Sequence, residues 1–261
     1  MKLGLNGKTA LVVASSQGLG KAIASALVQE GVNVMLASRN EEALHKVEKE
    51  LASLGKGKVS YIGCDITNPH DIRKMVEKTK TEFGSLHILI NNAGGPPAGT
   101  FEEITDEHWQ NAFELNLLSY IRIIREALPL LKINGGKIIN IASSSIKEPI
   151  PGLILSNTFR TGIVGLSKTL ATELAPYNIL INTVGPGRIA TDRVKHLDDV
   201  NAQKTGLSRD EIENLEKQTI PLQRYGKPEE FANVVTFLVS DANSYMTGSS
   251  FLVDGGKIKA I

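Results

Sequence analysis

Short apolar runs alternate with longer segments whose apolar positions recur with helical spacing. Residues 9–14 (TALVVA) predict a buried strand, and 18–31 a helix with Leu19, Ile23, Ala26 and Leu27 on one face. Apolar runs at 32–37, 58–63, 86–90, 137–142, 179–184 and 251–253 predict six further strands. Asn40 ahead of Glu41 and Glu42, and Asn68 ahead of Pro69, are helix-start signals. The second of these helices runs to Phe83, and a long helix ends near Lys132. Strands with few polar residues on either face, separated by helices, predict a parallel sheet covered on both sides. Right-handed crossovers then make the expected fold a single doubly wound, Rossmann-type α/β domain with seven parallel strands.

The rhythm breaks once. Residues 191–224 are charged and polar and carry Ser208-x-x-Glu211, a capping-box pattern. This segment reads as a helical lid over the carboxyl edge of the sheet. No linker, repeat or low-complexity tract divides the 261 residues, so one domain is expected.

Composition changes this picture little. Apolar residues make up 41% and charged residues 22%, with a net charge of +1. Nothing there favours nucleic acid or an anionic membrane as partner. No stretch reaches the roughly 18 apolar residues of a membrane span, and the N-terminus has no signal-like organisation. The lone Cys64 excludes an intrachain disulfide and fits a reducing cytoplasm. No His, Cys and Asp cluster has metal-ligand spacing, so no metal site is expected.

The first strand–helix turn, Ala14-Ser15-Ser16-Gln17-Gly18-Leu19-Gly20, carries candidate chemistry. Glycines there let the backbone approach a pyrophosphate, and the helix start offers free N–H groups. Ala14 is expected to keep negative φ, since alanine tolerates positive φ poorly. The second strand ends in Ala37-Ser38-Arg39. An acid there would bind ribose hydroxyls and repel a 2′-phosphate. Ser38 and Arg39 instead suit a phosphate, so NADP(H) is preferred, with NAD(H) as the weaker option.

Further motifs follow in order: Asp65 and Ile66 after the third strand, Asn91-Asn92-Ala93-Gly94 after the fourth, Pro186-Gly187-Arg188-Ile189-Ala190-Thr191 after the sixth, and Val253-Asp254-Gly255-Gly256 near the end. Together with the glycine turn they resemble the signatures of the short-chain dehydrogenase/reductase family over residues 9–256. The resemblance implies cofactor contacts from Ser15, Ser16, Gly18, Leu19, Gly20, Ser38, Arg39, Asp65, Ile66, Asn92, Ala93, Gly94, Pro186, Gly187, Ile189 and Thr191. It also implies a homotetramer paired through the helices near 106–132 and 155–176.

The catalytic segment departs from the family. Asn116 and Ser143 fit its Asn and Ser positions. Thirteen residues past Ser143, where the family has Tyr-x-x-x-Lys, stand Ser156 and Arg160. An aliphatic hydroxyl is a far weaker acid than a phenol, and an arginine does not give up its proton. Arg160 keeps the charge that holds the nicotinamide ribose and steadies an oxyanion. It is also expected to occupy much of the space left by the missing ring. Lys147, Glu148 or a water held by Arg160 and Ser143 is a candidate substitute donor; the alternative is that both charged residues are solvated loop side chains. Tyr177, His87 and His108 read as structural, as does Tyr225 unless it reaches substrate. Gly95-Pro96-Pro97 stiffens the chain beside the nicotinamide position and either shapes a pocket or starts the next connection.

Two functions compete. One is an oxidoreductase moving hydride between NADP(H) and a carbonyl or secondary alcohol, similar to the 3-oxoacyl-carrier-protein reductases. The other is a dinucleotide-binding sensor or partner subunit with little turnover.

Overall fold

The computed structural model describes residues 2–260. Its centre is a seven-stranded sheet in the order β3-β2-β1-β4-β5-β6-β7, with every pairing parallel. The strands are β1 Thr9–Val13, β2 Asn33–Ser38, β3 Val59–Gly63, β4 Ile88–Asn91, β5 Gly136–Ile141, β6 Ile179–Pro186 and β7 Ser250–Val253. Chain order reverses between β1 and β4, and the carboxyl ends beside that switch are where such sheets bind ligands.

Alternate strand residues face opposite layers. Val12, Leu36, Ile90 and Ile139 pack with α1 (Gly18–Gln29), α2 (Glu41–Ala52) and α9 (Pro228–Val239). Leu11, Met35, Leu89 and Ile138 pack with α3 (Pro69–Phe83), α5 (Ser119–Asn134) and α6 (Ile154–Leu174). The local signals act as expected. Asn40 Oδ1 accepts the Ala43 N–H, and Asn68 Oδ1 accepts the His70 N–H ahead of a helix with proline in its first turn.

Residues 191–224 form two helices, α7 (Asp192–Thr205) and α8 (Arg209–Gln218), the second closed by the Ser208–Glu211 capping box. The apolar pattern gave no sign of a break after α4 (Asp106–Phe113), where residues Glu114–Leu118 form a π-helical turn. Such turns shift side chains out of the α register and recur at functional sites.

A buried polar ladder also crosses the carboxyl ends of the central strands. Asn91 Nδ2 donates to Asn140 Oδ1 at 2.9 Å, Asn140 Nδ2 to the Ser167 hydroxyl at 2.9 Å, and Thr183 meets that hydroxyl at 3.0 Å. It pins β4, β5 and β6 to α6 just below the candidate site.

Candidate active site

The glycine turn is built by close approach. A Cβ on Gly20 would overlap the Ala14 carbonyl oxygen, so only glycine lets α1 seat against the end of β1. Gly18 has φ +56°. Ala14 does not keep negative φ: it stands at +51°, in the left-handed region that disfavours a Cβ. The turn requires that conformation, and the Asn92 side chain clasps the Ala14 carbonyl at 3.3 Å.

Ser15 is committed elsewhere. Its hydroxyl accepts the Ala37 N–H at 3.0 Å and ties β1 to β2. Its side chain is therefore a strut, while Ser16, Gly18 and Leu19 stay partly open at the helix start. Ser38 Oγ is buried with no partner at the tip of β2, and Arg39 beside it is exposed. Asp65 Oδ1 accepts the N–H and hydroxyl of Thr67, forming an Asx turn. Ile66 is buried in the α3-side core. Ile189 turns its side chain into the other core and its N–H to Gly187 O. Thr191 lies against Gly18, across the glycine turn. Gly94 is exposed, with open space where a Cβ would stand. The crowded Gly20, the open Gly94 and the orphaned Ser38 hydroxyl form a cradle that fits a dinucleotide.

Behind Gly94 lies the expected catalytic group. Asn116, on the π-helical turn, is fully buried, and its Nδ2 donates to Gly94 O at 2.7 Å while Oδ1 has no partner. Ser143 ends the β5 connection. It caps a 3-10 turn (Ser144–Ile146), accepting the Ser145 N–H at 3.1 Å. The Ser145 hydroxyl is buried and unpartnered.

Ser156 and Arg160 lie one turn apart on α6, both buried. Arg160 points beneath the strand ends. Nη1 donates to the Tyr120 hydroxyl at 2.8 Å and to Ile141 O at 2.9 Å, and Nη2 donates to Ala93 O at 3.1 Å. Tyr120 in turn donates to Ile141 O at 2.8 Å. Burial pushes the Tyr120 phenol above its usual range, against the pull of Arg160. It is sealed from solvent and unsuited to give a proton.

The other candidates separate clearly. Lys147 and Glu148 are exposed, and Glu148 accepts the Lys259 N–H at 3.4 Å near the chain end. Tyr225 donates to Asp198 at 3.0 Å; burial first, then that bond, raises its pKa. Its partner Asp198 also accepts Arg188 Nη1 at 2.7 Å, while Glu216 accepts Lys257 at 2.6 Å and Arg188 as well. This ion network anchors α7 and α8 to the β6 loop and the tail after β7. Tyr177 carries Lys132 over its ring at 4.0 Å. His87 Nδ1 accepts the Thr9 N–H, and His108 completes the cap of α4. Among the described residues no cluster of three His, Cys, Asp or Glu side chains could hold a metal, and no helix is long and apolar enough to cross a membrane.

One residue is absent from the sequence reading. Arg193, in the first turn of α7, reaches the Gly95-Pro96 loop and donates to Pro96 O at 2.9 Å. The loop after β4 thus holds three side chains in succession: Arg160 on Ala93 O, Asn116 on Gly94 O and Arg193 on Pro96 O. A charged residue at a helix start in a polar segment gives no sequence signal for a contact 97 residues away.

A family model described as Enoyl-(Acyl carrier protein) reductase matches residues 13–257. The NADPH-dependent reductase BacG of Bacillus subtilis is 33% identical over 97% of this chain and 99% of its own length. The 3-oxoacyl-acyl-carrier-protein reductase FabG of Thermotoga maritima is 34% identical over 97% and 99%. The chain belongs to the short-chain dehydrogenase/reductase family. Among solved structures, L-sorbose reductase of Gluconobacter frateurii, complexed with NADPH and L-sorbose, superposes with a TM-score of 0.95 at 32% identity, covering 100% of both chains. The glycine turn, the Asn91–Gly94 run and the β6 loop of this family member therefore sit in a frame shared along the whole chain.

Proposed function

We propose that this short-chain dehydrogenase/reductase is an NADP(H)-dependent reductase of carbonyl compounds that works without the family's tyrosine. The observation carrying the reading is the convergence of Asn116, Ser143 and Arg160 at the carboxyl ends of β4 and β5, beside a cradle that fits a dinucleotide. The NADPH-dependent relatives and the orphaned Ser38 hydroxyl beside the exposed Arg39, with no acid at that strand end, support the phosphorylated cofactor.

In this reading Ser16, Gly18, Leu19 and Gly20 cradle the pyrophosphate, and Ser38 and Arg39 receive the 2′-phosphate. Asp65, Ile66 and Asn92–Gly94 line the adenine and ribose side. Pro186, Gly187, Ile189 and Thr191 border the nicotinamide. A bound NADPH supplies the hydride. Ser156 and Arg160 stand at the places of the family's Tyr and Lys. Ser143 orients the carbonyl oxygen through its hydroxyl. Arg160 lies with a fixed positive charge below it. Its guanidinium has five N–H groups and makes three hydrogen bonds within the protein, so two N–H groups remain for ligand or water. A charge already in place where an oxyanion develops needs no reorganisation during reaction. The proton then arrives through water at Ser143, since Tyr120 is sealed and Tyr225 is committed to Asp198.

The test is NADPH oxidation against ketones, diketones, 3-oxoacyl thioesters and 2-enoyl thioesters. Turnover on a carbonyl class is expected; turnover on enoyl thioesters alone would overturn the carbonyl assignment. A second reading, a dinucleotide-binding sensor, is favoured by one observation: Tyr120 is sealed and Tyr225 is committed to Asp198. Tight NADPH binding with no turnover on any member of the panel would establish it.

The reading includes a cytoplasmic homotetramer. Trp109, Phe113 and Phe159 form a partly exposed aromatic hollow on α4 and α6, with Phe159 5.7 Å from Trp109 and 6.0 Å from Phe113. Light scattering on the wild type and on Phe159→Glu tests that face.

A further inference from the structure

The buried Arg160 and the exposed Arg193 share a property that distinguishes them from the partly buried arginines. Arg122 pairs with Glu114, and Arg188 pairs with Asp198 and Glu216. Among the described residues neither Arg160 nor Arg193 has a carboxylate partner. Each is held by backbone carbonyls of the same loop. Backbone carbonyls orient a guanidinium but do not neutralise it, and two uncompensated cations at one site disfavour each other. The Arg193 pKa is lowered accordingly, first by desolvation and then by the charge of Arg160.

Gly95 makes room for this arrangement. A Cβ there would stand 2.9 Å from Arg193 Nη2. Arg193 is an exposed residue, and among the described residues Pro96 O is the one protein acceptor of its guanidinium, so N–H groups remain for a ligand. The two anchoring carbonyls, on Ala93 and Pro96, are three residues apart, which puts them at most about 11 Å from each other.

Resting on the reductase reading, we propose that Arg193 binds the carboxylate of the substrate and that the substrate is a short-chain oxo acid. Arg160 faces the oxygen that gains charge during reduction, and Arg193 pairs with the charge the substrate already carries. A planar guanidinium takes a carboxylate through two parallel hydrogen bonds, a geometry that a lysine does not reproduce. Because Arg193 belongs to α7, an acid bound there also ties the lid to the loop after β4.

The experiment compares 2- and 3-oxo acids with their methyl esters, and titrates oxamate and malonate into the NADP-loaded protein by calorimetry at constant ionic strength. The wild type is expected to prefer acids over esters in kcat/KM by at least about tenfold, a ratio that Arg193→Met brings close to one. Gly95→Ala, which displaces the guanidinium without removing it, lowers the same ratio. Arg209→Met, on the lid but away from the loop, leaves it as in the wild type. Saturable oxamate or malonate binding, lost in Arg193→Met, is expected, with the NADPH dissociation constant shifted by no more than about twofold. Equal use of acids and esters by the wild type, or no binding of either dicarbonyl probe, overturns the proposal. So does an NADPH affinity that falls in Arg193→Met as far as carboxylate affinity does, which would assign Arg193 to a cofactor phosphate. Carboxylate binding without any turnover would instead overturn the reductase reading, and the oxo-acid substrate with it, and leave Arg193 as a carboxylate site.

Discussion

Arg160 and Tyr120 meet through a 2.8 Å hydrogen bond; the phenol is sealed from solvent and the guanidinium is buried but for a small exposed part. Together they form a cross-brace: the guanidinium and the phenol both bond Ile141 O, and the guanidinium also reaches Ala93 O. Arg160 therefore turns away from bulk solvent and under the strand ends, so its charge is fixed in place. Tyr120→Phe removes an acceptor from Arg160 and is expected to destabilise the fold by about 1–2 kcal/mol in urea unfolding. Arg160→Met also removes the charge that the proposed function sets beneath the reacting oxygen and is expected to lower kcat by about 10²–10³. If Arg160→Met retained wild-type kcat, the arginine would be structural only.

Ala14 carries a strained backbone with φ +51° at the first position of the glycine turn. Ala14→Gly relieves a cost of about 1–2 kcal/mol while loosening the unfolded chain by about 0.4–1 kcal/mol. The net expectation is a gain of roughly 0.5–1 kcal/mol, read as a higher denaturation midpoint with unchanged slope. A lower midpoint would show that the Ala14 methyl packs favourably enough to outweigh its strain.

Arg39 lies exposed beside the unpartnered Ser38 hydroxyl at the end of β2. Arg39→Asp is expected to weaken NADPH binding by at least about tenfold and to strengthen NADH binding, since a carboxylate there receives ribose hydroxyls and repels a 2′-phosphate. Fluorescence titration with both cofactors measures the switch. An unchanged NADPH affinity would remove Arg39 from the site.

Cys64, at the end of β3, is buried, and desolvation together with the charges of Asp71 and Asp65 pushes its thiol up to about 12. An unfolded cysteine titrates near about 8.5. The folded thiol thus stays neutral while the unfolded one ionises, and stability falls as pH rises from about 8.5 toward about 12. At about pH 9 iodoacetamide is expected to label the denatured chain rapidly and the native chain only through unfolding, because the thiolate is the nucleophile. Rapid labelling of the native protein would contradict this.

The sheet was legible because its signals are local. Apolar runs, Asn40, Asn68 and the Ser208–Glu211 box each act within a few residues, and the strands fall within two residues of the expected bounds at every end. β6 runs two residues further than expected, through Gly185 and Pro186, because β7 pairs with it there. The candidate site was legible as far as the motifs place its residues at the carboxyl ends of the strands. The conformation of Ala14 was not, because the turn overrides the preference of alanine. The direction of Arg160 was not either: it depends on Tyr120, 40 residues earlier, and on carbonyls from two other strand ends. Asn116 was found by position, but the π-helical turn that aims it has no apolar signature.

In the proposed reaction hydride passes to a carbonyl carbon in a site whose fixed cation is Arg160, and the proton does not come from a tyrosine. The most direct measurement uses NADPH deuterated at C4, on each face in turn, with mass spectrometry of the products from the carbonyl panel. Deuterium is expected on the new carbinol carbon from one face only, with the yield sharply reduced in Arg160→Met. Saturating cofactor binding with no deuterium in any product would contradict it.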